Sequence, residues 1–526
     1  MRNIDLKYLF ILCGFLVFSA CDTEDELRDD IIGDSTNPFE PVVPSGDAGS
    51  LDLSKYVAVG NSITAGLMDG ALYDFGQARS FPNLLAGQLA AAGGGNFVQP
   101  DIDADRGFNV IFNDLSNPSN AVTGRSRLDA VARRPVPLIP GEPITDYTGP
   151  DVNNFGVPGA RAVDLSVAGY GLANFLFGRF AADQNTSSIL GDALAADGTF
   201  HTLWIGNNDV LGWVSSGGAG PDGEVTAGAE ASPTALTSIA NFEAAFNGTL
   251  TALTAGGADV AVINIPNILA TPLLQAVQWN SIPLDEATAT ALNEGFAGLN
   301  AALDGLAASG AISQADADQR KVSYEAGENN PILAIDDALT DYGPFFDGLV
   351  GAPGGITADQ RTALEPFRQS RPLTENDLVL ILAGLTLGEL ADPDDPNSAI
   401  GIAVPIDDDQ ILNADEVVTA ATRIATFNGI IAAAVAANDN AVLVDANAKF
   451  TEIVDAFLAG DPFSIDGTDL FPDFTPNGIF STDGVHPNPR GHGIIANEVI
   501  RAINEEYGAS IPEVDVLDLP GVILVP

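Results

Sequence analysis

The sequence is short of cysteine, histidine, methionine and positive charge, and each shortage closes off a class of function. Its 526 residues include two Cys, three His and two Met, and 21 Lys and Arg stand against 71 Asp and Glu, for a net charge of −50. One cysteine, Cys13, lies in an N-terminal apolar run and the other is Cys21, so no internal disulfide framework holds the folded part together. With only His201, His486 and His492 and no Cys cluster, no common zinc-site spacing is present. Any reaction that needs an imidazole must draw on one of those three. A surface this acidic repels phosphate backbones and anionic lipid, which excludes nucleic acid as a partner and loose electrostatic docking on membranes. Beyond the leader, no stretch reads as long and apolar enough to span a bilayer.

The N-terminus reads as a processing signal. Arg2 and Lys7 precede an apolar run, Tyr8 to Phe18, followed by Ser19-Ala20-Cys21. Small residues directly before a cysteine resemble a bacterial lipoprotein box, in which Cys21 becomes the lipidated first residue. The acidic run DTEDELRDD, Asp22 to Asp30, resembles the surface-export signal of Bacteroidetes lipoproteins. These resemblances imply a protein tethered to the outer membrane of a Gram-negative bacterium and exposed at the cell surface, touching membrane only through its lipid anchor. An ordinary cleaved signal with a solvated acidic linker is the plainer alternative. Residues 1–20 are thus expected to be a signal peptide, 21–50 an acidic tether, and 51–526 the folded domain.

Within that domain, short apolar runs with strand character recur at Tyr56–Gly60, Thr202–Ile205, Val260–Ile265 and Ala441–Val444. Helical patterns lie between them. Phe81–Ala92 starts after Ser80 with Pro82 in its first turn. Leu292, Phe296, Leu299, Leu303 and Leu306 share one face. Asn413 and Glu416 form a capping-box pattern ahead of a helix over 417–435, and 489–507 reads as a final helix. Buried strands alternating with helices predict an α/β domain, a parallel sheet with helices on both faces. The gap between the last two strands far exceeds a normal crossover. Its excess, about 272–409, predicts a largely helical insertion acting as a cap or lid, with one strand-like run at Ile332–Asp336.

Chemistry-bearing residues fall at the ends of these strands. In YVAVGNSITAG (56–66) a buried strand breaks at Gly60 and presents Ser62. Gly-Asn-Ser is common turn chemistry, but a serine there is also where an α/β sheet would hold a nucleophile. Ester cleavage by serine needs in addition a base oriented by a carboxylate, and donors aimed at the oxyanion. In STDGVHPNPRGH (481–492) Asp483 precedes His486 by three residues, so a short loop can fold the carboxylate back onto the ring. NFGVPGARAVDL (154–165) places Gly159 in a glycine-bracketed turn, where a backbone N–H can approach a ligand closely. LWIGNNDVLG (203–212) ends a strand with Asn207 and Asn208, either of which can aim an amide at the same oxygen. The Ser62 N–H, at a helix start, is a third donor.

The four blocks GNSITAG, NFGVPG, GNND and DGVH, in that order, resemble those of the SGNH, or GDSL-type, serine hydrolases. FPNLLAGQL, FGRFA and VINIPNILATP resemble further segments of large secreted esterases of that family, so the likeness covers about 54–270 and 410–507. It implies a flavodoxin-like three-layer α/β/α fold and an esterase or lipase that needs no cofactor and no metal. By the same resemblance Ser62 is the nucleophile, His486 the base and Asp483 its orienting acid. Ser62 N–H, Gly159 N–H and the Asn208 side chain form the oxyanion hole. The chain departs from the family at Asn61, where an Asp is usual, which leaves the triad intact but alters local hydrogen bonding. The substrate is expected to be a lipid, a small ester or an acetylated glycan, chosen by the insertion. A polysaccharide O-acetylesterase and a non-catalytic surface binding lipoprotein are the rival readings.

The remaining candidates read as structural. His201 precedes an apolar strand and His492 lies one turn into the last helix. DIDADRG (101–107) imitates a calcium loop with its glycine misplaced and no closing Glu. DPDDPN (392–397) is a looser acidic turn that could take a structural calcium. Arg125, Arg127, Arg133 and Arg134 cluster in an otherwise acidic chain, either salt-bridging or meeting an anionic substrate group.

Overall fold

The computed structural model describes residues 45–526 apart from 130–133, 227–230, 396, 523 and 526. The leader, Cys21, most of the tether and Arg133 lie outside the described residues. The chain enters β1 (Tyr56–Gly60) and turns into the one-turn helix α1 (Ser62–Ala65), followed by α2 (Phe81–Leu89) and the short β2 (Asn154–Gly156). Helix α3 (Ile189–Ala195) precedes β3 (Phe200–Trp204), which opens into α4 (Asn208–Ser215) and α5 (Ile239–Thr254). After β4 (Asp259–Ile263) comes the insertion, with its long α6 (Glu286–Ala308). Helix α7 (Ala414–Ala436) returns to β5 (Ala441–Val444), then α8 (Ala446–Leu458) and α9 (Pro489–Tyr507).

The five strands are all parallel, in the order β5-β4-β3-β1-β2. In chain order that is 2-1-3-4-5, the flavodoxin-like arrangement, whose switch point lies between β1 and β3. Side chains alternate across the sheet. Val57, Val59, Leu203, Val260 and Val262 face a core shared with α3, α4, α5 and α7. Tyr56, Ala58, Phe200, Trp204, Ala261 and Ile263 face a second core with α2 and α9. The result is three layers, α/β/α. The strand read from apolar residues at Tyr56–Gly60 keeps those bounds. β2 was not legible as a strand: three residues containing a glycine carry too little pattern, and the edge is made by pairing Ala58 to Asn154 and Val59 to Phe155.

Three expectations need correction. Helix α7 begins a turn earlier than expected, at Ala414, behind the capping box in which Asn413 accepts from Glu416 N and Glu416 accepts from Asn413 N. By length and composition alone α7 could cross a membrane, contrary to the sequence reading; an 18-residue stretch of it reaches a mean hydropathy of 1.4. It packs Ala420, Ile424, Phe427 and Ile431 into the first core, and Arg423 on the same helix pairs with Asp222. The insertion is not largely helical. Beside α6 it folds into short helices and two-stranded antiparallel ladders, Ile282–Leu284 with Gly327–Asn330 and Leu333–Ile335 with Ser370–Pro372. Its second half is broken by Pro and Gly too often for long helices. It encloses its own cores, one built on Phe296, Leu299, Leu303 and Leu306 of α6.

Candidate active site

Ser62 is the first residue of α1, directly beyond the carboxyl end of β1. Asn61 caps the helix, accepting from Ile63 N at 3.0 Å and donating to Asn207 Oδ1 at 3.1 Å. The atypical Asn61 thus ties the serine turn to the turn after β3. Gly60 allows this crowding, since a Cβ there would overlap Thr64 Oγ1 and the Trp204 carbonyl.

Across the cleft, a loop between Phe480 and Pro487 carries the acid and the imidazole. Asp483 Oδ1 accepts from the N–H groups of Val485 and His486 at 2.9 and 2.8 Å, which folds the loop back on itself. Asp483 Oδ2 meets His486 Nδ1 at 2.9 Å, and His486 Nε2 meets Ser62 Oγ at 2.8 Å. The structure therefore brings all three together in one hydrogen-bonded line, with Ser62 and Asp483 buried. Burial pushes the Asp483 carboxyl up, but the His486 charge, its side-chain hydrogen bond and the two loop N–H groups outweigh this and hold it below the usual carboxylate range.

The candidate donor groups lie in the neighbouring turns. At the start of β2, Asn154 donates to the Thr64 carbonyl at 2.8 Å, and just beyond β2 Val157 N donates to the Gly60 carbonyl at 3.0 Å, fixing the glycine turn against α1. Gly159 sits in the left-handed region, φ +81°, which glycine adopts without strain. Asn208 Nδ2 donates to the Ala160 carbonyl at 2.9 Å, leaving its second amide hydrogen free. The N–H groups of Ser62 and Gly159 meet no acceptor among the described residues. Asn207, the adjacent rival, is committed to Asn61 through its oxygen. Asp209 braces the arrangement from beneath, accepting from Ala162 N at 2.8 Å. Full burial raises its carboxyl from 3.8 to about 7, against the hydrogen bonds from Ala162 and Thr237.

A clamp on the loop that carries Asp483 and His486 escaped the sequence reading. Asp69 N donates to Ser481 Oγ at 3.0 Å, Asp69 Oδ1 accepts from Thr482 N and Oγ1 at 2.9 and 2.7 Å, and Gly70 N donates to Asp483 Oδ2 at 2.8 Å. Tyr73 O–H completes the carboxylate at 2.6 Å. The Asp-Gly pair at 69–70 was the available signal, since it marks a tight turn, but nothing local says that the turn grips a loop four hundred residues away.

The other candidates are placed away from this line. His201 lies in β3; burial lowers its imidazole to about 4, so it stays neutral. His492 is buried on α9, accepts from Phe81 N at 3.0 Å through Nδ1, and is lowered to about 3, first by burial. Arg125 donates to the Asp105 carbonyl and stacks on Tyr73, 4.9 Å from the ring centre. Arg134 lines a cavity of about 180 Å³ behind Asp483, shared with Val277, Ile381 and Leu385 of the insertion. Asp392 and Asp395 cap their own turn, accepting from Asp394 N and Asn397 N. No group of three or more His, Cys, Asp or Glu is placed to hold a metal among the described residues.

Ser62 and His486 open onto a second cavity, of about 100 Å³ and mostly apolar. None of its lining residues comes from 272–409. The insertion buttresses the loop that carries Asp483 and His486, with Leu273 N donating to the Gly484 carbonyl at 2.9 Å. Compared with known proteins, the chain matches no family model, no curated protein and no solved structure.

Proposed function

We propose that the chain is a serine carboxylic-ester hydrolase of the SGNH type. The observation that carries this reading is the continuous line Ser62 Oγ, His486 Nε2, His486 Nδ1, Asp483 Oδ2, with steps of 2.8 and 2.9 Å. Ser62 Oγ attacks the ester carbonyl carbon while His486 Nε2 takes its proton. The negative carbonyl oxygen is met by the N–H groups of Ser62 and Gly159 and the free amide hydrogen of Asn208. His486 returns the proton to the alkoxy oxygen as its bond to carbon breaks, and the alcohol departs. Water then attacks the acyl-Ser62 ester, giving its proton to His486, and the carboxylic acid leaves as that proton passes back to Ser62. One ester and one water thus become one acid and one alcohol. Asp483 holds the ring with Nε2 toward the serine and stabilises the imidazolium formed on the way.

The lipid tether read at Cys21 belongs to the same proposal and would place this activity at the outer membrane. The test is hydrolysis of p-nitrophenyl acetate and butyrate by the domain from residue 45 onward beside Ser62→Ala. Turnover lost in the variant supports the reading. Equal turnover in both proteins overturns it, and no turnover in either favours the binding-protein alternative.

A further inference from the structure

We infer that the cavity beside Ser62 is an acyl-chain pocket, making the preferred substrates esters of short-to-medium apolar acids of about four or five carbons rather than acetylated glycans. This rests on the Ser62 reading and deepens it. From Ser62 and His486 the cavity runs along the carboxyl ends of the strands, where Trp204, Ile263 and Val444 form one wall. Phe450 and Ile453 of α8 and Ile494 of α9 form the other. All six are buried hydrophobic residues. A sugar in this space would leave its hydroxyls without partners, whereas an alkyl chain loses nothing on entry. The two charged groups on its lining, Lys449 and Glu498, lie 3.7 Å apart at the partly exposed edge between α8 and α9, and Lys449 also bonds Glu452 at 2.9 Å. They neutralise one another there and offer no unpaired charge to a polar ligand.

The size sets the chain length. A space of about 100 Å³ takes roughly three or four methylene groups if each needs about 30 Å³, close to the share of one water molecule. With the carbonyl carbon held at Ser62, that corresponds to butanoyl or pentanoyl. Each added methylene buried should raise kcat/KM about fourfold, until the pocket is full.

The test is kcat/KM across p-nitrophenyl acetate, butyrate, hexanoate, octanoate and palmitate. It is run on the wild-type domain, Ala446→Phe and Ile453→Ala. Ala446 lines the cavity at the start of α8, so the phenyl ring intrudes into it, while Ile453→Ala enlarges it. The expected profile peaks at butyrate, roughly tenfold or more above acetate. The hexanoate-to-acetate ratio falls at least tenfold in Ala446→Phe, and the peak moves to longer chains in Ile453→Ala. Should the wedge variant fail to fold by circular dichroism, the enlarged variant carries the test alone. Labelling of Ser62 by methyl and hexyl fluorophosphonates, read by mass spectrometry, checks the same ratio without turnover. A profile highest at acetate and unmoved by the variants, with hydrolysis still lost in Ser62→Ala, overturns the pocket and leaves the ester reading standing. Absence of Ser62-dependent hydrolysis on every ester overturns both.

Discussion

Replacing Asp69 tests how the Asp483–His486 loop is held, because the carboxylate makes three bonds that two substitutions treat differently. In the native protein it accepts from Thr482 N, Thr482 Oγ1 and Tyr73 O–H. Burial pushes this carboxyl up, while the bonds from Tyr73 and Thr482 pull it down. Asp69→Ala deletes all three bonds at about 1 kcal/mol each and leaves the enclosed Thr482 N–H unpaired. It also puts alanine at φ +55°, in the left-handed region, which costs about 1 kcal/mol. The expected loss of stability is about 3–5 kcal/mol. Asp69→Asn keeps an oxygen for both Thr482 donors, and its amide can donate to a Tyr73 hydroxyl that turns to accept. Asn also tolerates the left-handed backbone, so the expected cost is under about 1 kcal/mol. Thr482 adjoins Asp483, so loss of the clamp should loosen the acid that orients His486. For a proper ester hydrolase, kcat should fall about 10–100-fold in Asp69→Ala with KM little changed, and less than about threefold in Asp69→Asn. Urea unfolding gives the stability and steady-state ester hydrolysis gives the kinetic split. Wild-type kcat in Asp69→Ala, or equal damage from both substitutions, would refute the clamp.

Two further outcomes follow from the oxyanion side. Asn208→Ala should lower kcat about 10²–10³-fold on any ester, and Asn207→Ala by much less, since its oxygen is committed to Asn61; comparable losses would show that the wrong amide has been assigned. Asp209, raised from 3.8 to about 7 by burial, stabilises the fold fully below about pH 4, and that contribution is lost as pH rises through 7. The loss is on the order of 4 kcal/mol by pH 8. Asp209→Asn is neutral throughout. Its melting temperature should therefore match wild type near pH 4 and exceed it increasingly toward pH 8. A constant difference across that range would contradict the raised carboxyl.

The sheet was legible because its strands are short, mostly apolar runs, and the first ends in glycine. The residues of the hydrogen-bonded line were legible because Ser62 lies at such an end, and because Asp483 and His486 are close enough in sequence for a short loop to join them. The short edge strand Asn154–Gly156 was not, since its pairing is supplied by β1 rather than by its own side chains. The insertion misled for a different reason. The periodic face of α6 is strong, and extending its helical character over the whole segment ignored the prolines and glycines that break the second half into ladders. Neither the grip of Asp69 on Thr482 nor the pocket between α8 and α9 leaves a local trace, because both are made by segments far apart in the chain.

The most direct test of the central claim is to treat the domain with a fluorophosphonate and map the adduct by peptide mass spectrometry, in wild type and in His486→Ala. The expected result is a single phosphonylated residue, Ser62, in wild type, with the rate of labelling reduced at least a hundredfold in His486→Ala because Nε2 no longer takes the proton. Labelling at another serine, or labelling of Ser62 at the same rate without His486, would contradict it.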